Sequence, residues 1–210
     1  MDTSLSVWLE ITEKWGADRS DCVAVYRHLL TAYSGKGRYY HDLTHIEHMF
    51  EVANDVIDQI QDHDAMFFAI WFHDCIQKIG RDSEQLSADF AENRLTELNA
   101  PVEFVNKVIA LILATKHGHA LNIKHELSTD EKLISDIDLC ILGSARAEYL
   151  YYATECRKEY PVTDFIYKRG RKKFLQQMAE RSHIFLTGYF NGRFEALAFE
   201  NIKFEIKSMN

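Results

Sequence analysis

The chain predicts an all-α fold in a single domain, and three observations carry that expectation. Only two prolines and nine glycines occur in 210 residues, which favours long helices with short connections over a turn-rich β fold. Apolar residues recur at helical spacing along most of the chain. No repeat, low-complexity segment or linker interrupts it, and 210 residues suffice for one sizeable core. Hydrophobic residues make up 47% and charged residues 27%, a globular rather than disordered balance. The formal charge of −8 argues against broad binding of polymeric nucleic acid or an anionic membrane. A small anionic substrate stays open, because a local basic patch or a metal overrides net charge.

Residues 1–8 lack a basic region followed by a long apolar one, so no signal peptide or membrane span is expected. Ser4 or Ser6 can start a first helix carrying Val7, Trp8, Ile11 and Trp15, ending near Gly16. A second runs from about Ser20 with Val25, Tyr26, Leu29 and Tyr33 as its apolar set. Residues 34–38 (Ser-Gly-Lys-Gly-Arg) read as a loop. A third helix opens around Tyr39–Met49 and extends to about Ile60. At ~100° per residue, Ile46, Met49, Phe50, Val52, Ala53 and Val56 share one face of it, and Glu47, Glu51, Asp55 and Asp58 the other. His45 falls inside the apolar arc, with His41 and His48 at its edge.

Next comes the most hydrophobic stretch, seven apolar residues from Met66 to Phe72 that run directly into His73-Asp74. Such an element is buried on all sides, yet too short to span a membrane. A carboxylate at its end costs several kcal/mol unless it is paired, hydrogen-bonded or bound to a cation. One reading is a His-Asp hydrogen bond that caps a buried helix; the other is a functional pair.

Asp82 or Ser83 can cap a helix through Leu98, with Glu84 in its first turn. Pro101 suits the start of a helix from Val102 to about Lys116, which delivers His117 at its end. Ser128 and Glu131 form a capping box for a helix through about Leu142, stopped by Gly143. On its wheel Asp138 points into the apolar face and Asp136 away from it. Further helices are expected at 145–160, 164–181 and 193–206, packed by aromatics including Tyr149, Tyr151, Tyr152, Phe165, Phe174 and Phe190. Basic residues gather at 168–173. Cys22, Cys75, Cys140 and Cys156 are scattered without CxxC spacing, and Cys75, Cys140 and Cys156 sit within helical patterns and read as reduced core thiols of a cytoplasmic protein.

Four inward polar residues therefore stand out: His45, His73, Asp74 and Asp138. Two imidazoles and two carboxylates form a mixed nitrogen and oxygen set suited to a divalent Mn, Mg, Fe, Co, Ni or Zn ion. A bound cation would also compensate both buried carboxylates.

In this order the quartet resembles the H…HD…D signature of the HD-domain metal-dependent phosphohydrolases. Several segments are similar to a bacterial subfamily of predicted phosphohydrolases: Tyr40-His41-Asp42-Leu43-Thr44-His45-Ile46, Ala69-Ile70-Trp71-Phe72-His73-Asp74, Ser83-Glu84-Gln85-Leu86-Ser87-Ala88, Ala114-Thr115-Lys116-His117 and residues 136–143. The tail is similar at 157–160 and 170–171, and the likeness spans roughly residues 38–205. Two departures are Asp42, where the subfamily often has Asn, and Cys75-Ile76-Gln77-Lys78, where it tends toward a Tyr-containing stretch.

The resemblance implies a single helical HD domain over 1–210, with a metal-binding core at about 38–143 and C-terminal helices at 144–208 packing on it. It implies a divalent metal on His45, His73, Asp74 and Asp138, and metal-assisted hydrolysis of a small phosphate ester, nucleotides included. Asp74 is then the residue that orients or deprotonates water. Glu84 is an acid/base candidate, its alternative being a first-turn carboxylate that favours the helix dipole. His117 is a leaving-group acid, phosphate binder or second-metal ligand, its alternative being an exposed helix-terminal histidine. Arg38, Lys116 and Arg171 are candidate phosphate clamps, His41 and His48 are weaker candidates, and His119 and His125 read as loop residues. A nucleotide-sensing module without catalysis and a di-iron oxygenase are the competing readings.

Overall fold

The computed structural model describes Met1, residues 4–117 and residues 126–209, and every regular element among them is helical. The α-helices are α1 (Leu5–Glu13), α2 (Arg19–Tyr33), α3 (Leu43–Asp55), α4 (His63–Phe72), α5 (Ser83–Glu97), α6 (Val102–Ala114), α7 (Thr129–Leu139), α8 (Arg146–Lys158), α9 (Asp164–Ala179) and α10 (Gly188–Ser208). Short 3₁₀ turns occupy Ile57–Gln59 and Cys140–Gly143. No helix of the described residues is long and apolar enough to cross a membrane. His119 and His125 lie outside the described residues.

Helix α4 is the centre of the bundle. All of its residues from Ala65 to Phe72 are buried, which matches an apolar surface with no polar stripe. It packs against α3, α5, α6 and α7, and α1 covers it through Trp8, whose ring lies 4.5 Å from that of Phe68. Each large apolar side chain enclosed this way contributes ~1.5–3 kcal/mol. The consequence for function is positional: α4 holds His73 and Asp74 rigidly where its ladder ends.

Local chemistry starts and stops the elements. Asp18, Asp62 and Asp82 accept backbone N–H groups at the starts of α2, α4 and α5. Asp42 accepts from Thr44 N at 2.8 Å and His45 N at 3.3 Å, so His45 occupies the first turn of α3. Ser128 and Glu131 form the reciprocal capping box of α7.

Four expectations are corrected. Helix α3 ends at Asp55 instead of reaching Ile60, because the chain turns to bring the N–H groups of Gln61 and Asp62 onto the carboxylate of Asp130, at 2.8 and 2.9 Å. Asp136 does not point outward but is fully buried, accepting Leu186 N, Thr187 N and the Thr187 hydroxyl at 2.7–2.8 Å. That anchor fixes the start of α10 at Gly188, five residues ahead of the expected 193. Tyr151 and Phe165 do not pack; Phe165 is 77% exposed.

Gly143 serves a different purpose from the one its position suggests. It does not adopt a left-handed conformation. Instead α10 crosses it so closely that a Cβ there would meet the Cβ and carbonyl oxygen of Phe194 at 2.5 Å. Close approach, not helix termination, requires the glycine.

Candidate metal centre

His73 caps α4 and is buried, and its Nδ1 lies 2.9 Å from the carbonyl oxygen of Ile70. A carbonyl only accepts, so Nδ1 carries the proton and, in the neutral ring, Nε2 presents its lone pair. That Nε2 stands 3.3 Å from Nε2 of His45. Burial holds the His45 imidazole below its ordinary pKa despite the neighbouring Asp138, which keeps it neutral and able to donate a lone pair. Its Nδ1 is buried without a hydrogen-bond partner among the described residues.

The carboxylates complete the cluster. Asp74 Oδ2 lies 3.6 Å from His73 Nε2. Asp138, on the last turn of α7, places Oδ1 3.4 Å from His45 Nε2 and 3.9 Å from His73 Nε2. Its Oδ2 is 2.7 Å from His117 Nε2. Burial works to raise the Asp138 carboxyl, but the hydrogen bond with His117 and the imidazoles packed beside it outweigh burial and hold the group well below the usual carboxylate range.

His45, His73 and Asp74 are spaced to hold one ion, and Asp138 stands beside the two imidazoles. Two ligand atoms each ~2.1 Å from a first-row divalent cation stand ~3.0–3.4 Å apart at octahedral or tetrahedral angles. The observed separations of 3.3, 3.4, 3.6 and 3.9 Å are that arrangement slightly expanded. His45, His73 and Asp74 each offer a donor atom within 4.8 Å of the others. Donor type, the lowered His45 imidazole and the ionised Asp138 carboxylate agree with a divalent ion of intermediate hardness.

A second trio, His41, Cys156 and Glu159, is equally close but differently occupied. Glu159 Oε1 accepts the backbone N–H groups of Tyr39, Tyr40 and His41, each at 2.9 Å, and Oε2 lies 2.6 Å from His41 Nδ1. Burial raises the Cys156 thiol, which keeps it protonated. This trio is a hydrogen-bonded brace. It turns His41 Nε2 toward Asp74 Oδ2, 3.6 Å away. Burial opposes the imidazolium, but Asp74 and Glu159 prevail and lift His41 to about 9. Glu159, in turn, is held at about 2 against its own burial.

The cluster reaches a cleft of two lobes, of about 540 and 250 Å³, through Asp74 on the smaller lobe and Asp138 on the wall between them; the lobes share His41, Ile79, Glu84, His117, Asp138 and Tyr160. Glu84 projects there from the first turn of α5, its carboxyl raised by burial. His117 is pinned in place, since its carbonyl accepts a hydrogen bond from Arg181.

The three arginine and lysine candidates all have protein partners. Arg38 donates to the carbonyl oxygens of His41, Asp74 and Cys75 at 3.2, 2.8 and 3.2 Å. Lys116 Nζ lies 2.8 Å from Asp82 and 3.1 Å from Gln85, tying the end of α6 to the start of α5. Arg171 forms a buried two-pronged pair with Glu205 and donates to the Tyr152 hydroxyl, while still lining the larger lobe. His48 faces away, 3.7 Å from the sulfur of Cys140.

Glu159 and the standing of His41 were missed from sequence. A signal existed: Tyr149, Tyr152, Cys156 and Glu159 recur at helical spacing on the buried face of α8 and its end, so Glu159 is a carboxylate on an apolar stripe. Comparison with protein-family models, curated proteins and solved structures returns no match to this chain.

Proposed function

We propose that this chain is a metal-dependent phosphohydrolase of the HD type, acting on a small phosphate ester. One observation carries the reading: His45, His73 and Asp74 bring donor atoms within 4.8 Å of one another, and Asp138, on the wall shared by both lobes of the cleft, places Oδ1 3.4 Å from His45 Nε2 and 3.9 Å from His73 Nε2. The ordered H…HD…D resemblance supports the phosphate chemistry. The ion such a site holds supplies water activation and polarisation of a phosphoryl oxygen.

The chain's own residues would do the rest. Asp74 accepts a hydrogen bond from the attacking water and orients it. Glu84, with a carboxyl raised by burial, is the proton donor for the leaving oxygen. His41, held as a cation by Glu159, faces the phosphate charge. His117 orients Asp138 through its second oxygen. Arg38, Lys116 and Arg171 build the walls, each through the partners described above.

The test is metal analysis of the wild type beside Asp138→Asn, followed by phosphate release from a panel of phosphate esters with Mn²⁺ added. Metal and turnover in the wild type, both lost in the variant, are expected. Absence of metal from both proteins would sink the reading, and so would bound metal with no phosphate release. Iron content with no hydrolysis would favour the oxygenase, and ligand binding without turnover the sensor.

A further inference from the structure

The two lobes of the cleft differ in chemistry. The smaller is polar, with Asp74, Gln77, Lys78, Arg81, Ser83 and Glu84 on its walls. The larger, away from the shared junction, is walled by Tyr152, Val162, Ile166, Tyr167 and Phe174. Its volume of about 540 Å³ lies within the ~300–1,000 Å³ range of small-molecule sites.

Among the described residues, charge is almost absent from this second lobe. Beyond the junction Arg171 is its one charged wall residue among the described residues, and its guanidinium is closed off by Glu205 on two sides and by the Tyr152 hydroxyl on a third. The group that enters is therefore recognised by shape and apolar contact, not by ion pairing. The rim is apolar as well: Ile79, Tyr160 and Ile166 are all exposed, Ile166 at 57%. Apolar side chains grouped at the mouth of a cleft mark a surface that a ligand covers. Tyr160 and Tyr167 stand 5.5 Å apart with tilted rings, and Arg157 covers Tyr167 at 4.8 Å. These rings form a wall suited to a flat partner.

We infer that the substrate carries a flat, uncharged aromatic group, which the larger lobe binds while its phosphate lies at the His-Asp cluster. The inference rests on the hydrolase reading for the phosphate and on the second lobe for the aromatic group. It makes aryl-bearing phosphate esters, in which ring and phosphate are separated by a short link, the substrate class.

Binding tests it independently of turnover. Benzylphosphonate and ethylphosphonate carry the same headgroup and cannot be hydrolysed as esters. Calorimetric titration of each into the full chain with Mn²⁺ should show benzylphosphonate binding at least about tenfold more tightly, the lower end of what an apolar pocket discriminates. Ile166→Asn, at an exposed position whose folding is checked by circular dichroism, should shrink that ratio about threefold or more. Equal affinities, binding of neither compound, or an undiminished ratio in Ile166→Asn would each overturn the aromatic subsite. If the preference holds while no ester releases phosphate, the hydrolase reading fails and the subsite stands. If simple esters turn over without aromatic preference, the subsite fails and the hydrolase stands.

Discussion

One guanidinium nitrogen of Arg38 donates to the carbonyl oxygen of Asp74 across 2.8 Å, and the other reaches the carbonyl of His41 at 3.2 Å. A single side chain thus ties the loop that presents His41 to the turn that presents His73 and Asp74. Tyr33 reinforces that turn, donating its hydroxyl to Trp71 O at 3.0 Å and accepting the N–H of Asp74 at 3.2 Å.

Arg38→Lys keeps the charge and loses the fork. Outer partners of metal ligands are worth ~10–100-fold in metal affinity or activity. Titration of the metal-free variant with Mn²⁺ should show a loss of that order. A phosphate clamp would instead raise KM for the ester and leave metal affinity unchanged.

The His41–Glu159 brace has a defined pH window in the metal-free protein. His41 is raised from 6.5 to about 9, so its stabilisation is complete below pH 6.5 and lost as pH rises through about 9. Glu159 is lowered from 4.5 to about 2, so its stabilisation is complete above pH 4.5 and lost as pH falls through about 2. The stability difference between wild type and Glu159→Gln should be largest and flat between pH 4.5 and 6.5, at ~3–5 kcal/mol for a broken buried pair. It should narrow on both sides. Thermal melts across pH would read this, and a difference independent of pH would refute it.

Asp136 ties α7 to the start of α10 through two backbone N–H groups and one hydroxyl. Asp136→Ala leaves those donors without their acceptor, at ~1–3 kcal/mol for each group left buried. For a chain of this size each kcal/mol lowers Tm by ~2–4 °C, so a drop of several degrees is expected in calorimetry. A Tm within one degree of wild type would show that the anchor is dispensable.

Gly143→Ala should destabilise by ~1–3 kcal/mol, because the added methyl meets Phe194 main-chain and Cβ atoms that cannot rotate away. Chemical denaturation with an unchanged midpoint would contradict the close crossing of α10.

Helix identity was legible in the sequence because it depends on neighbours a few residues apart. The apolar run before His73, the cap at Asp82 and the Ser128–Glu131 box are local signals, and each ends or begins an element where expected. The inward pointing of His45, His73 and Asp138 was readable for the same reason: each interrupts or ends an apolar face. Asp136 was misread because a helical wheel shows one buried face, whereas α7 is covered on a second side by residues 184–187, distant in sequence.

The sequence by itself determined an all-helical chain, the central buried helix and four polar residues whose burial demands compensation. Only the tertiary structure decided that donor atoms of His45, His73 and Asp74 come within 4.8 Å of one another, that Glu159 braces His41, and that Arg38, Lys116 and Arg171 have protein partners. The physical reason is that periodicity says which way a side chain faces, while the distance between side chains on different helices depends on how those helices cross. Hydrogen-bond partners more than a hundred residues apart, such as His41 and Glu159, leave no periodic trace.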